Sequence, residues 1–150
     1  RQALQEGAIA LHDSQGSQKV VLAAIGDMIL KPVFEATTQL EAQGYGVRVV
    51  SIVNPRRLYR PSDVAWEICS EADGYFLDDA GFDRLFGGDV LLGITGGASG
   101  MLEPIMLRSP AKRDTFAWKR GETTASPTEL MALNGITAEG MAKRAVELLG

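Results

Sequence analysis

Residues 20–26 read VVLAAIG, a run without a charged or hydrogen-bonding side chain. A strand exposed on one face alternates polar and apolar residues, because successive side chains point to opposite faces. An unbroken apolar run belongs to a strand covered on both faces, the condition of a parallel sheet between helices. Gly26 and Asp27 end the run, and Asp27 is placed to cap a helix by accepting from the exposed amides of its first turn. That helix carries Ile29, Leu30, Val33, Phe34 and Leu40 on one side and stops at Gly44. Residues 47–53 (VRVVSIV) are β-branched and apolar and form a second strand. Strand, helix and strand in this order make a βαβ unit.

The rest of the chain continues the alternation. Residues 1–12 read as a short helix with Ala3, Leu4, Ala8 and Leu11 at helical spacing, followed by a polar loop over 13–19. A loop at 54–61 (NPRRLYRP) precedes expected helices at 63–70, with Trp66 and Ile68 inward, and at 78–86, with Phe82, Leu85 and Phe86 inward. Residues 90–95 (VLLGIT) are a third strand, and Gly96, Gly97 and Gly100 lead into a helix ending at Leu107. A fourth strand is expected at 115–118, then helices at 127–133 and 137–149, the last with Met141, Ala145, Leu148 and Leu149 inward. The predicted fold is a single three-layer α/β sandwich over 1–150, its sheet mainly parallel with room for one antiparallel edge strand.

Composition narrows the functional classes. The net charge of −4 argues against a nucleic-acid binder, which needs a basic surface to displace counterions from phosphates. No apolar run approaches the roughly 20 residues that span a bilayer, so no membrane partner is expected. Cys69 is the only cysteine, which fits a reducing cytoplasm and excludes an intrachain disulfide. It reads as a small buried hydrophobe, since no base can be placed beside it. The chain starts at Arg1 rather than Met, which suggests a piece of a longer protein.

Self-contained catalytic sets are hard to build. His12 is the only histidine and reads as a surface residue without a serine or carboxylate partner. One Cys and one His make no zinc set, and the acidic residues lack the spacing of a calcium loop. Two strand-to-helix turns, 24–29 (AIGDMI) and 95–100 (TGGASG), lie where doubly wound sheets bind ligands, but neither is a phosphate-binding motif. Gly96, Gly97 and Ser99 are candidate anion contacts there, against the plainer reading of tight turns. Arg56, Arg57 and Arg60 could grip a phosphate or a partner's carboxylate, or simply be solvated. In 121–130 (GETTASPTEL), Ser126 and Glu129 have capping-box spacing, with Pro127 at the first helical position. Loss of Ser126 to Ala is expected to cost about 1 kcal/mol. Thr123 and Thr124 precede the cap and are expected to face a neighbouring domain or subunit.

The ordered segments also carry a family resemblance. Residues 23–58 (AAIGDMILKPVFEATTQLEAQGYGVRVVSIVNPRRL) resemble the opening of the C-terminal domain of thiamine-diphosphate enzymes of the transketolase group. Residues 77–99 (LDDAGFDRLFGGDVLLGITGGAS) and 118–134 (WKRGETTASPTELMALN) resemble phosphoketolases, whereas 134–149 (NGITAEGMAKRAVELL) is closer to transketolases. The phosphoketolase histidine after the third strand is replaced here around Thr95 and Gly96, and the Arg56–Arg57 pair also departs from that pattern. The resemblance implies a transketolase C-terminal-domain-like fold within a homodimeric, three-domain parent. Thiamine diphosphate and Mg2+ or Ca2+ would be bound by the other domains, which carry a Gly-Asp-Gly pattern missing here. This domain would bind no cofactor and no metal and hold no catalytic residue. It would support the catalytic domains and the dimer. The implied parent is a phosphoketolase, cleaving xylulose 5-phosphate with phosphate to acetyl phosphate and glyceraldehyde 3-phosphate. Two alternatives are a transketolase moving two-carbon ketol units and a regulatory module binding a phosphorylated metabolite at the strand ends.

Overall fold

A computed structural model describes residues 1–64, 75–119 and 124–150. Five strands form one sheet in the order β1-β3-β2-β4-β5. They are β1 (Ala8–Asp13), β2 (Lys19–Ile25), β3 (Gly46–Ile52), β4 (Val90–Thr95) and β5 (Lys112–Phe116). β2, β3, β4 and β5 run parallel, and β1 joins the β3 edge antiparallel. The helices are α1 (Gln2–Glu6), α2 (Leu30–Ala42), α3 (Asp79–Phe86), α4 (Glu103–Leu107), α5 (Pro127–Leu133) and α6 (Ala138–Leu149).

The two apolar runs become the central strands β2 and β4, and their side chains divide between two cores. Val20, Leu22, Ala24, Leu92 and Ile94 pack under α2 and α6 with Val33, Leu40, Met141 and Ala145. Val21, Ala23 and Leu91 pack on the other face with Phe82, Phe86, Leu102 and Ile105 of the α3 and α4 side. Coverage of both faces is why these strands show no polar alternation. The fold is therefore three-layered, with one antiparallel pair at the edge.

Several local expectations are corrected. The segment 1–12 is not one helix: α1 ends at Glu6, and Gly7 takes φ +84°, which a continuing helix cannot. The Gly7 carbonyl accepts from the Val53 and Asn54 amides, both at 2.9 Å, and seats β1 beside β3. Edge pairing thus overrides the helical spacing of Ala8 and Leu11. Asp27 does not cap α2 with its side chain; its carbonyl accepts from the Leu30 amide at 3.1 Å, and the N-cap is Ile29. Phe34 is 38% exposed rather than inward. β5 begins three residues before the expected 115, at Lys112, because a charged KRDTF sequence suits an edge that is only half covered. The 63–70 helix, with Trp66, Ile68 and Cys69, falls almost wholly outside the described residues; its first residue, Asp63, ends a short 3-10 turn, Pro61–Asp63. No helix among the described residues is long and apolar enough to cross a membrane.

Candidate functional site

The strand order places a topological switch between β2 and β4, since β2 leads to β3 on one side and β4 to β5 on the other. Crevices outside the carboxyl ends of such strands are where open α/β sheets bind ligands. Gly26 ends β2 at φ +103°, and nothing lies within 4 Å of the position a Cβ would take. Across from it, Gly96 and Gly97 are exposed at the end of β4. Three of the turn's groups have partners within the fold. The Gly97 amide donates to Thr95 Oγ1 at 3.1 Å, and the Gly97 carbonyl accepts from the Trp118 amide at 2.9 Å. The Ser99 hydroxyl donates to Glu103 Oε1 at 3.2 Å. The carboxylate of Asp27, at the other strand end, is exposed.

The three arginines of the 54–61 loop diverge. Arg57 donates to the Gln5 carbonyl at 3.4 Å and stacks over Tyr75, 5.2 Å from the ring centre. Arg60 binds Asp79 at 2.9 Å and Asp63 at 3.5 Å. Arg56 lines a cleft of about 520 Å³ with Val53, Asn54, Tyr59 and Met101, beyond the ends of β3 and β4. Among the described residues, Arg57 and Arg60 are thus committed to separate partners.

In the 121–130 stretch, Thr123 lies outside the described residues and Thr124 is exposed. The capping box is complete: the Glu129 amide donates to Ser126 Oγ at 3.3 Å, and the Ser126 amide donates to Glu129 Oε2 at 2.8 Å. The Ser126 hydroxyl also donates to that carboxylate at 2.7 Å. The hydroxyl first, then the amide, hold the Glu129 carboxyl below its ordinary value.

Two polar groupings were hidden from sequence reasoning. Strand pairing brings His12 Nε2 within 2.6 Å of Glu41 Oε1, although 29 positions separate them. Ser14 first, then His12, hold the Glu41 carboxyl below its ordinary value, with burial opposing. The trio is not a nucleophilic triad, because Ser14 Oγ is engaged with Val47, accepting from its amide at 3.0 Å and donating to its carbonyl at 3.4 Å. Arg108 is the second grouping. Its side chain is fully buried, and its guanidinium donates to the Leu58 carbonyl at 2.7 Å, the Leu77 carbonyl at 2.8 Å and Asp79 at 3.0 Å. It lies 4.3 Å over the Phe82 ring. Burial pushes this guanidinium below the ordinary arginine value, and Asp79 pulls the other way. Arg108 is a structural pin that ties the 55–63 loop to the base of α3.

Among the described residues no cluster of three His, Cys, Asp or Glu side chains could hold a metal ion.

No protein-family model and no curated protein matches the sequence. Solved structures do. A transketolase from Campylobacter jejuni subsp. jejuni NCTC 11168 superposes with a TM-score of 0.65 and 17% identity, over 96% of this chain and 19% of its own. A transketolase from Leishmania mexicana gives 0.65 and 17%, over 98% of this chain and 18% of its own. A split gene transketolase, solved as an inactive β4 tetramer, gives 0.60 and 18%, over 94% of this chain and 42% of its own. The chain thus spans about a fifth of the first two proteins. What these likenesses establish is the fold, a transketolase C-terminal-like α/β domain with one antiparallel edge strand.

Proposed function

We propose that this chain is the C-terminal assembly domain of a thiamine-diphosphate-dependent transketolase-type enzyme, holding no catalytic residue itself. The observation that carries the reading is the near-complete coverage of this chain against under a fifth of the neighbours' length, in the element order the sequence resemblance implies. In the parent, thiamine diphosphate and Mg2+ or Ca2+ would sit in the other domains, where the cofactor supplies the carbon–carbon chemistry. This domain would dock on those domains and support a homodimer, with Thr123 and Thr124 on the docked side. A cytoplasmic setting agrees with the lone Cys69.

The named structural neighbours are transketolases, which favours two-carbon ketol transfer over the phosphoketolase cleavage implied by residues 77–99 and 118–134. Calorimetric titration of the 150-residue chain with thiamine diphosphate and Mg2+ tests the assembly role. The expected result is no saturable heat, and tight binding would overturn it. Phosphate dependence of the parent separates the two activities: acetyl phosphate formed from xylulose 5-phosphate would restore the phosphoketolase reading.

A further inference from the structure

Asn134 and Gly135 each have a structural task at the end of α5. Gly135 takes φ +74°. Its amide donates to the Ala132 carbonyl at 3.0 Å, and the Ile136 amide donates to the Met131 carbonyl at 2.9 Å. This is the paired-bond helix stop whose turning residue is normally glycine. Asn134 ties the stop to a second segment. Its Nδ2 donates to the Leu130 carbonyl at 2.9 Å, and its Oδ1 accepts from the Lys119 amide at 2.7 Å. α5 needs such ties: none of its seven residues is fully buried, and so short a helix does not persist alone in water.

Together the two residues make a reactive dipeptide. Once its proton passes to solvent base, the Gly135 backbone nitrogen can attack Cγ of Asn134, and a glycine has no Cβ to obstruct the approach. The new N–Cγ bond closes a cyclic imide. The Cγ–Nδ2 bond breaks, and Nδ2 leaves as ammonia with a proton from solvent. Water then opens the imide and leaves aspartate or isoaspartate. Nothing is oxidised or reduced, and water is the only co-reactant. The chain's other asparagine, Asn54, is followed by Pro55, which has no N–H to lose. The fold guards the step at Asn134. The Gly135 amide is held by Ala132, and both ends of the Asn134 carboxamide are engaged, so attack requires the end of α5 to open.

We propose that Asn134 is a self-modifying site gated by α5: it converts when the helix end opens, and its conversion keeps that end open. The product puts an oxygen where Nδ2 donated, so two acceptors face each other across the 2.9 Å contact with Leu130. It also places a negative charge at a helix C-terminus, which the helix dipole disfavours. In isoaspartate the main chain gains a methylene, which breaks the spacing of the paired-bond stop. Ammonia is lost, so the change runs one way. It does not depend on the catalytic reading above.

Peptide mass spectrometry of the 150-residue chain, incubated at neutral pH both folded and unfolded in guanidinium chloride, tests this. The mass gain of amide-to-acid conversion should appear at Asn134, with isoaspartate among the products, and at least ~10-fold more slowly in the folded chain. Ser126→Ala loosens the other end of α5. It should speed conversion in the folded chain roughly fivefold and leave the unfolded rate unchanged. Asn134→Asp, the product made directly, should speed amide exchange over 128–133 at least ~5-fold, with circular dichroism showing the overall fold kept. Equal rates in the folded and unfolded chain would overturn the proposal, as would no conversion at Asn134 in the unfolded chain. So would a Ser126→Ala chain that converts at the parental rate, or an Asn134→Asp chain with parental exchange over α5.

Discussion

Replacing Arg108 by Met tests what the buried guanidinium does. Its side chain is fully buried while its ionic partner Asp79 is 76% exposed, so the substitution strands no buried charge. What it strands are two acceptors, the carbonyls of Leu58 and Leu77, held at 2.7 and 2.8 Å. A buried carbonyl left unsatisfied costs about 1–3 kcal/mol, and the desolvated contact with Phe82 adds about 2. Relief of the guanidinium's own desolvation offsets part of this by several kcal/mol, and Met keeps the volume. The net expectation is a loss of about 2–4 kcal/mol. Asp79→Ala removes the ion pair but leaves both carbonyls served, and should cost at least ~1 kcal/mol less than Arg108→Met. Urea unfolding followed by circular dichroism and by Trp fluorescence, with unchanged m-values, gives both numbers. An Arg108→Met midpoint within about 0.5 kcal/mol of the parent chain would refute the reasoning, as would an Asp79→Ala variant of equal or greater cost.

Three further outcomes are expected. Ser126→Ala should weaken the α5 cap by about 1 kcal/mol; because no α5 residue is fully buried, the loss should appear as roughly fivefold faster amide exchange over 128–131, with the global urea midpoint little moved. Gly16→Ala should destabilise the fold by about 1–3 kcal/mol in the same urea assay, since a Cβ there would overlap the backbone of Tyr45 and Gly46. The carboxyls of Asp13 and Glu41 both sit below their ordinary values: at Asp13 burial opposes, but Lys19 and then Arg48 prevail, and at Glu41 Ser14 leads and His12 follows. Their stabilisation is therefore full above the ordinary carboxylate range of about 4 and is lost as pH falls through the lower folded values. Urea midpoints should drop below about pH 4, and Asp13→Asn should flatten that drop.

The central fold was legible because it rests on short-range signals. The apolar runs 20–26 and 90–94 read as strands covered on both faces, and the α5 box is written in four consecutive residues. The edges were not legible. β1 has helical spacing and becomes a strand only because Gly7 turns the chain onto β3, a contact between residues more than forty positions apart. Arg108 looks like any arginine after a helix, and its three partners come from segments that meet only in the folded chain. The loop arginines were legible as a group by proximity in sequence, but the side chains of Arg57 and Arg60 turn to separate partners. Resemblance named the transketolase group, and the superposed structures share its fold.

The most direct measurement is ketol transfer from xylulose 5-phosphate to ribose 5-phosphate, assayed with thiamine diphosphate and Mg2+. It should be run for the 150-residue chain and for its parent polypeptide with and without these residues. An assembly role predicts an inert isolated chain, an active parent, and a parent that loses its native mass and activity when residues 1–150 are removed. Transfer by the isolated chain, or a parent that keeps its mass and activity without it, would contradict that role.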